Sequence, residues 1–150
     1  MFKLTDLRVE DILQFKTPAA VMTILPEAPL TTAAKMMHEK NVGLLVVADA
    51  TGAPVGVLSE RDIVRRAVVP GKSMSDTPVS AIMTPKPTFT YPTETIPECL
   101  MKFNTYHCRH LPVAKPGHPL LGIISERDVM NFLLQKFREE NLLIFEELKL

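Results

Sequence analysis

The feature that most constrains this sequence is that it repeats itself. Val55-Gly56-Val57-Leu58-Ser59-Glu60-Arg61-Asp62-Ile63-Val64 returns as Leu121-Gly122-Ile123-Ile124-Ser125-Glu126-Arg127-Asp128-Val129-Met130 at an offset of 66 residues, with apolar positions kept apolar. The same offset superposes Pro26 on Pro92, Leu30 on Ile96, Leu45 on Leu111 and Val47 on Val113, with no gap from Val21 to Val64. Upstream, Val9-Glu10-Asp11-Ile12-Leu13 resembles Val79-Ser80-Ala81-Ile82-Met83 at an offset of 70, so the loop that follows is longer in the first copy. Self-similarity of this kind means that one supersecondary unit is used twice.

Pattern and punctuation then give one copy its elements. Pro29 and Thr31-Thr32 precede Ala33–Lys40, rich in helix formers, which predicts a helix. Val42–Val47 is β-branched and continuous and predicts a buried strand. Asp49–Pro54 is a turn leading into a second strand, Val55–Leu58, after which Ser59 caps a helix expected to reach about Val68. With an extended piece at Val21–Ile24, each copy reads β-α-β-β-α. The expected organisation is a first repeat over residues 1–68, a turn-rich linker over 69–78, and a second repeat over 79–150 that carries a helical extension.

A copy of about 60 residues buries little core alone. Two such copies are therefore expected to pack face to face with pseudo-two-fold symmetry, as an α/β (α+β) fold with a cleft where they meet. The 46% hydrophobic content of the 150 residues can supply the core. Seventeen basic and 17 acidic residues cancel, so no global field draws the chain to nucleic acid or an anionic membrane. No apolar run approaches the ~18 residues of a membrane span, and the first residues lack the order of a signal peptide. These features predict a soluble, cytoplasmic protein. Cys99 and Cys108 are too few for a disulfide framework.

The repeated element runs Gly, two apolar residues, Ser, two variable residues, Asp and an apolar residue, closing a strand and opening a helix. Taken with Arg109-His110-Leu111-Pro112-Val113, it resembles the cystathionine-β-synthase (CBS) domain pair, or Bateman module, from about Val9 to Leu134. The resemblance implies two β-α-β-β-α repeats around a nucleotide-sized cleft.

Read from the residues alone, Ser59-x-x-Asp62 and Ser125-x-x-Asp128 admit two roles. Each is a capping box with an acid in the first turn of a helix. Each also has the chemistry of a ribose–phosphate site. A carboxylate accepts hydrogen bonds from vicinal hydroxyls, and the free amides of a helix N-terminus suit a phosphate. Capping places no demand on Arg61 and Arg127, which recur identically and could offset the repulsion between the acid and a phosphate; a solvated helix face is the alternative for them.

The resemblance further implies where a base would lie: against Met22, Thr23, Ile24, Val42 and Gly43 in the first copy, and against Thr88, Phe89, Thr90, Cys108 and Arg109 in the second. Phe89 stands where the first copy has Thr23, and either stacks on a base or fills its slot. Arg109-His110 replaces Gly43-Leu44, so the second half-site is expected to be the more positive. His110 as a satisfied core histidine is the alternative.

Other apparent motifs fail on spacing. Gly71-Lys72-Ser73 lacks the first glycine of a Walker A loop, where Arg66 stands. Cys99, His107, Cys108 and His110 do not have zinc-ligand spacing, and no catalytic constellation is recognisable. Arg61, Arg65, Arg66 and Lys72 read as a solvated face and not as a nucleic-acid surface. Beyond Asp128, a helix free of Gly and Pro is expected to run to the end of the chain, with Met130, Leu134, Phe137, Asn141, Ile144 and Leu148 forming a heptad-like seam beside Leu133, Leu142 and Phe145.

These features predict a stand-alone regulatory module, a homodimer through the C-terminal helix. It would bind an adenosyl ligand (AMP, ADP, ATP, NAD or S-adenosylmethionine) in the cleft between its repeats and signal to a separate protein effector. A ligand-free interaction scaffold is the alternative, and an enzyme comes third.

Overall fold

The computed structural model describes residues 1–16, 21–115 and 117–147, the side chains of 143–147 excepted. The elements in chain order are α1 (Val9–Phe15), β1 (Thr23–Ile24), α2 (Leu30–Lys40), β2 (Leu44–Ala48), β3 (Pro54–Ser59), α3 (Glu60–Ile63), β4 (Thr84–Pro85), α4 (Ile96–Tyr106), β5 (His110–Val113), β6 (Gly122–Ser125) and α5 (Glu126–Glu147). Two compact units emerge, each assembled from separated stretches of chain. One comprises Met1–Ala19, Thr90–Val113 and Gly122–Leu150, the other Ala20–Phe89 and Ala114–Leu121.

In the unit that holds the first copy, a mixed sheet runs β1-β2-β3-β4. β1 is parallel to β2, β2 antiparallel to β3, and β4 adds an antiparallel edge at Gly56 and Val57. The alternating pattern of β3 buries Pro54, Gly56 and Leu58, while Leu45, Val46, Val47 and Ala48 of β2 are all buried. α2 lays Leu30, Ala33 and Met37 onto this core, the i, i+3, i+7 spacing of one helix face. Val79 and Ile82, from the stretch that precedes the second copy, complete it.

The helix α2 begins earlier than the sequence predicts, at Leu30, because the linker caps it. Leu30 N donates to Thr77 O at 3.0 Å and Thr31 N to Met74 O at 2.9 Å, which satisfies first-turn amides that have no partner within the helix. Its other end closes on Asn41 in the left-handed region (φ 52°), and Val42 N returns to Met37 O. That closure consumes Val42, so β2 starts at Leu44. After Ser59 the helix does reach Val68, as four α-helical residues followed by a π-helical stretch, Val64–Val68.

The other unit repeats the plan with substitutions at core positions. α4 buries Ile96, Cys99 and Phe103 where α2 buries Leu30, Ala33 and Met37, and it ends on His107 at φ 50° where α2 ends on Asn41. β5 and β6 pair antiparallel, His110 opposite Ser125. The extended piece expected before α4 is reduced to a single parallel bridge, Thr90 to Val113, at the position Ile24 to Val47 holds in the first copy. Val9 and Ile12 of α1 are fully buried in this core beside Ile96, Leu111, Ile124 and Phe132. Each core thus takes its last apolar pair from the stretch that precedes the other copy in sequence, Val9/Ile12 in one and Val79/Ile82 in the other.

α5 is the predicted long helix. Phe132 is buried and Leu133 packs at the core edge, whereas Met130 (57%), Leu134 (48%), Phe137 (50%) and Leu142 (63%) stay exposed. Phe2 covers one side of Phe137, ring centroids 5.2 Å apart, and its amide donates to Glu140. Ile144, Phe145 and Leu148 lie outside the described side chains. No helix among the described residues is long and apolar enough to cross a membrane.

Candidate functional site

Each Ser-x-x-Asp element sits where an antiparallel strand pair ends and a helix begins. In the first copy, Ser59 N donates to Asp62 Oδ2 at 2.9 Å and Asp62 N to Ser59 Oγ at 3.1 Å. In the second, Ser125 N donates to Asp128 Oδ2 at 2.8 Å and Asp128 N to Ser125 Oγ at 3.0 Å. Both elements are therefore reciprocal capping boxes. Capping uses only Oδ2 of each carboxylate, and Oδ1 takes no part in it.

A backbone bond brings the base-side residues to the same place. Glu60 N donates to Gly43 O at 3.0 Å, and its counterpart, Glu126 N, donates to Arg109 O at 3.2 Å. Gly43 and Arg109 are thereby fixed beside the starts of α3 and α5. In the first copy Met22 O accepts from Val46 N at 3.1 Å and Thr23, exposed, stands opposite Val46. Ile24 is buried in the core, and Val42 packs against it. Arg61 and Arg127 are exposed.

In the second copy Thr90 is fully buried, and its hydroxyl donates to Glu94 at 2.6 Å while its amide donates to Pro112 O at 3.0 Å. Its side chain is thus engaged inside the core, as is that of Ile24 at the equivalent position. Thr88 and Phe89 are half-buried, and the division between the two compact units falls between Phe89 and Thr90. Cys108 packs at the core edge, where burial raises its thiol pKa. Burial likewise pushes the Cys99 thiol up to about 11, which leaves it an inert core residue.

The two half-sites differ in charge. At Asp62 the nearest cation is Arg66, its Nε 3.9 Å from Oδ1, while the Arg66 guanidinium also donates to Ile82 O at 3.1 Å. The Glu60 carboxylate lies over Gly43, 3.3 Å from where a Cβ would stand. At Asp128, Lys16 Nζ donates to Oδ2 at 2.9 Å and to Ile123 O at 2.7 Å. Burial raises the Asp128 pKa, but the hydrogen bonds from Lys16 and Ser125 and the charge of Lys16 outweigh it and hold the carboxyl below its ordinary value. His110 keeps an exposed edge. Partial burial of its ring lowers its pKa, Lys16 and Arg109 add to the lowering, and Asp128 opposes it. The two carboxylates are thus met by different cations, Lys16 at Asp128 and Arg66 at Asp62.

Lys16 and Arg66 carry no local motif, and both escaped the reading of the sequence as site residues. The available signal for Lys16 was faint: it lies 70 positions before Lys86, at the offset that relates the stretches preceding the two copies.

The CBS domain family model matches this chain twice, over residues 9–69 and 79–135. The chain belongs to the CBS domain family. A putative signal-transduction protein with CBS domains from Burkholderia ambifaria is 32% identical and superposes with a TM-score of 0.78, covering 85% of this chain and 94% of that one. A CBS domain protein from Pyrobaculum aerophilum, complexed with AMP, is 28% identical with a TM-score of 0.70 over 81% of this chain and 89% of its own. Among curated proteins, an uncharacterized 17.7 kDa protein of Acidianus ambivalens is 35% identical over 76% of this chain and 68% of its own length.

Proposed function

We propose that this CBS pair is a regulatory sensor that binds adenosyl ligands at its two Ser-x-x-Asp half-sites and signals occupancy to a partner protein. The observation that carries the reading is that Oδ1 of Asp62 and of Asp128 takes no part in the cap, with Arg66 Nε 3.9 Å from it in the first copy. In both copies the cap fixes the carboxylate with one oxygen and holds the other ready for a ribose hydroxyl, beside a backbone carbonyl locked onto the next residue, Gly43 O or Arg109 O. Arg61 and Arg127 are open to reach a phosphate, with Arg109 and His110 adding to the second half-site. Base contacts fall to Met22, Thr23 and Val42 in the first copy and to Cys108 in the second. The AMP complex of the Pyrobaculum relative supports the ligand class; AMP, ADP, ATP, NAD and S-adenosylmethionine share the adenosyl group these half-sites would read.

The exposed apolar residues support a homodimer. Val64 and Val68 follow α3 as Met130 and Leu134 follow the start of α5, the same i, i+4 ridge at the same offset, and all four are exposed. The ligand-free scaffold keeps one observation in its favour, since capping alone explains Ser and Asp.

Thermal unfolding with a panel of AMP, ADP, ATP, NAD and S-adenosylmethionine separates the two. A bound ligand at 100 times its Kd stabilises by about 2.7 kcal/mol, and the shift should shrink in Asp62→Ala and Asp128→Ala. A flat panel in the wild type would leave the scaffold.

A further inference from the structure

Lys16 is the last residue of the α1 turn, its amide donating to Ile12 O at 2.9 Å, and its side chain crosses to the start of α5. There it is bonded twice, to Asp128 and to the carbonyl of Ile123 in β6. The pair is not sealed into the core: Lys16 keeps 27% of its side-chain surface and Asp128 23%. Both stand in the wall of an open cleft of about 570 Å3, with Asn131, Gln135 and Arg138 further along α5. An incoming ligand that meets Asp128 therefore also meets the ammonium group.

This changes what the carboxylate can recognise. Asp128 Oδ2 already accepts from Ser125 N and Lys16 Nζ, so only Oδ1 remains for a hydroxyl. A neutral nucleoside gains one hydrogen bond there and no charge–charge attraction from the ammonium. A cationic sulfonium ligand meets a carboxylate whose charge is compensated, with exposed Arg127 next in sequence and exposed Arg109 fixed beside the start of α5 by the Glu126 N–Arg109 O bond. An anionic nucleotide gains from Lys16 directly, because the ammonium has three donors and only two are used among the described residues. At Asp62 the nearest cation is 3.9 Å away and tied to backbone carbonyls, and the acid Glu60 stands over Gly43.

We infer that Lys16 is a specificity-determining residue, which makes the Asp128 half-site select phosphate-bearing adenine nucleotides over neutral nucleosides and over sulfonium ligands. This rests on the proposal that Asp128 receives an adenosyl ligand. The two copies then sort ligands by charge, the anionic ones going to Asp128.

The test is calorimetric titration of ADP, adenosine and S-adenosylmethionine into the full chain carrying Asp62→Ala, so that binding reports the Asp128 half-site. Adding Lys16→Met should lower the preference for ADP over adenosine about tenfold, the order expected for one charge-assisted hydrogen bond, and should weaken the discrimination against S-adenosylmethionine. Lys16→Arg should keep both preferences. Lys16→Gln, which keeps a hydrogen-bond donor without the charge, should behave as Lys16→Met and gives the same readout if the methionine variant folds poorly. An unchanged ADP-to-adenosine ratio in the neutral variants overturns the role of Lys16 while leaving the sensor intact. Wild-type protein that binds none of the three ligands overturns both.

Discussion

Lys16 Nζ donates to Asp128 Oδ2 at 2.9 Å across 112 residues of sequence. The carboxylate that the repeat motif offers in duplicate therefore accepts a direct hydrogen bond from an ammonium group in one copy, whereas in the other its cation, Arg66, stands 3.9 Å away. Identical motifs have acquired different surroundings because a different residue from outside the motif meets each carboxylate, Lys16 at Asp128 and Arg66 at Asp62.

Acid should reveal this pair. The folded pKa of Asp128 lies below the unfolded value of 3.8, so the folded state binds fewer protons through that window. The stabilisation is complete above the unfolded pKa and is lost as pH falls through the folded one. Chemical denaturation of wild type and Asp128→Asn from pH 6 down to pH 2.5 should show a steeper decline in the wild type. Parallel curves would mean that Lys16 does not hold the carboxylate.

His110 titrates in a different window. Its folded pKa is depressed below 6.5, so the neutral ring is favoured by folding and protonation opposes it. That stability is present above pH 6.5 and is lost as pH falls through the depressed value. His110→Gln should flatten the stability profile between about pH 7 and pH 5. Nuclear magnetic resonance titration of the ring should place its pKa below the unperturbed value, and should show it rising when ADP is added.

The repeated glycines of the second strands separate backbone from side-chain constraint. A Cβ at Gly56 would stand 2.6 Å from Met83 Sδ and 2.9 Å from the carbonyl oxygen of Thr84, whereas at Gly122 it meets only the tip of Leu13, at 2.8 Å. The Thr84 carbonyl is held by the β3–β4 pairing and cannot swing away; the Leu13 side chain can rotate. Gly56→Ala should cost about 1–3 kcal/mol, the range for overpacking, and Gly122→Ala distinctly less. Denaturant midpoints of the two variants check the order.

Dimerisation through the exposed ridges predicts two behaviours in analytical ultracentrifugation. Truncation after Arg138 should yield a monomer if the end of α5 makes the contact. Replacing Val64 and Met130 together by Lys should weaken association at either ridge without loss of the folded cores, since both residues are more than half exposed. A dimer that survives both changes refutes this interface.

Removing a capping hydroxyl should act locally. Ser59→Ala and Ser125→Ala each delete one reciprocal bond and should cost about 1 kcal/mol, with adenine-nucleotide binding reduced at the affected half-site because the Asp carboxylate is no longer held in place.

What the sequence determined by itself is the repeat and everything that follows from local periodicity. Leu30, Ala33, Met37, Leu45 and Leu58 recur in burial as Ile96, Cys99, Phe103, Leu111 and Ile124, because helix and strand periods dictate which side chains share a face. The Ser-x-x-Asp caps were legible for the same reason: their bonds close within three residues. Tertiary structure alone decided the rest. Only the folded chain brings Val9 and Ile12 into a core with Ile96, caps α2 with Thr77 and Met74, and sets Lys16 on Asp128. Those contacts join stretches tens to more than a hundred residues apart, and no spacing rule within one copy encodes them. The charge on the two half-sites depends on such contacts, which is why the motif could be read twice in the sequence and its asymmetry only in the fold.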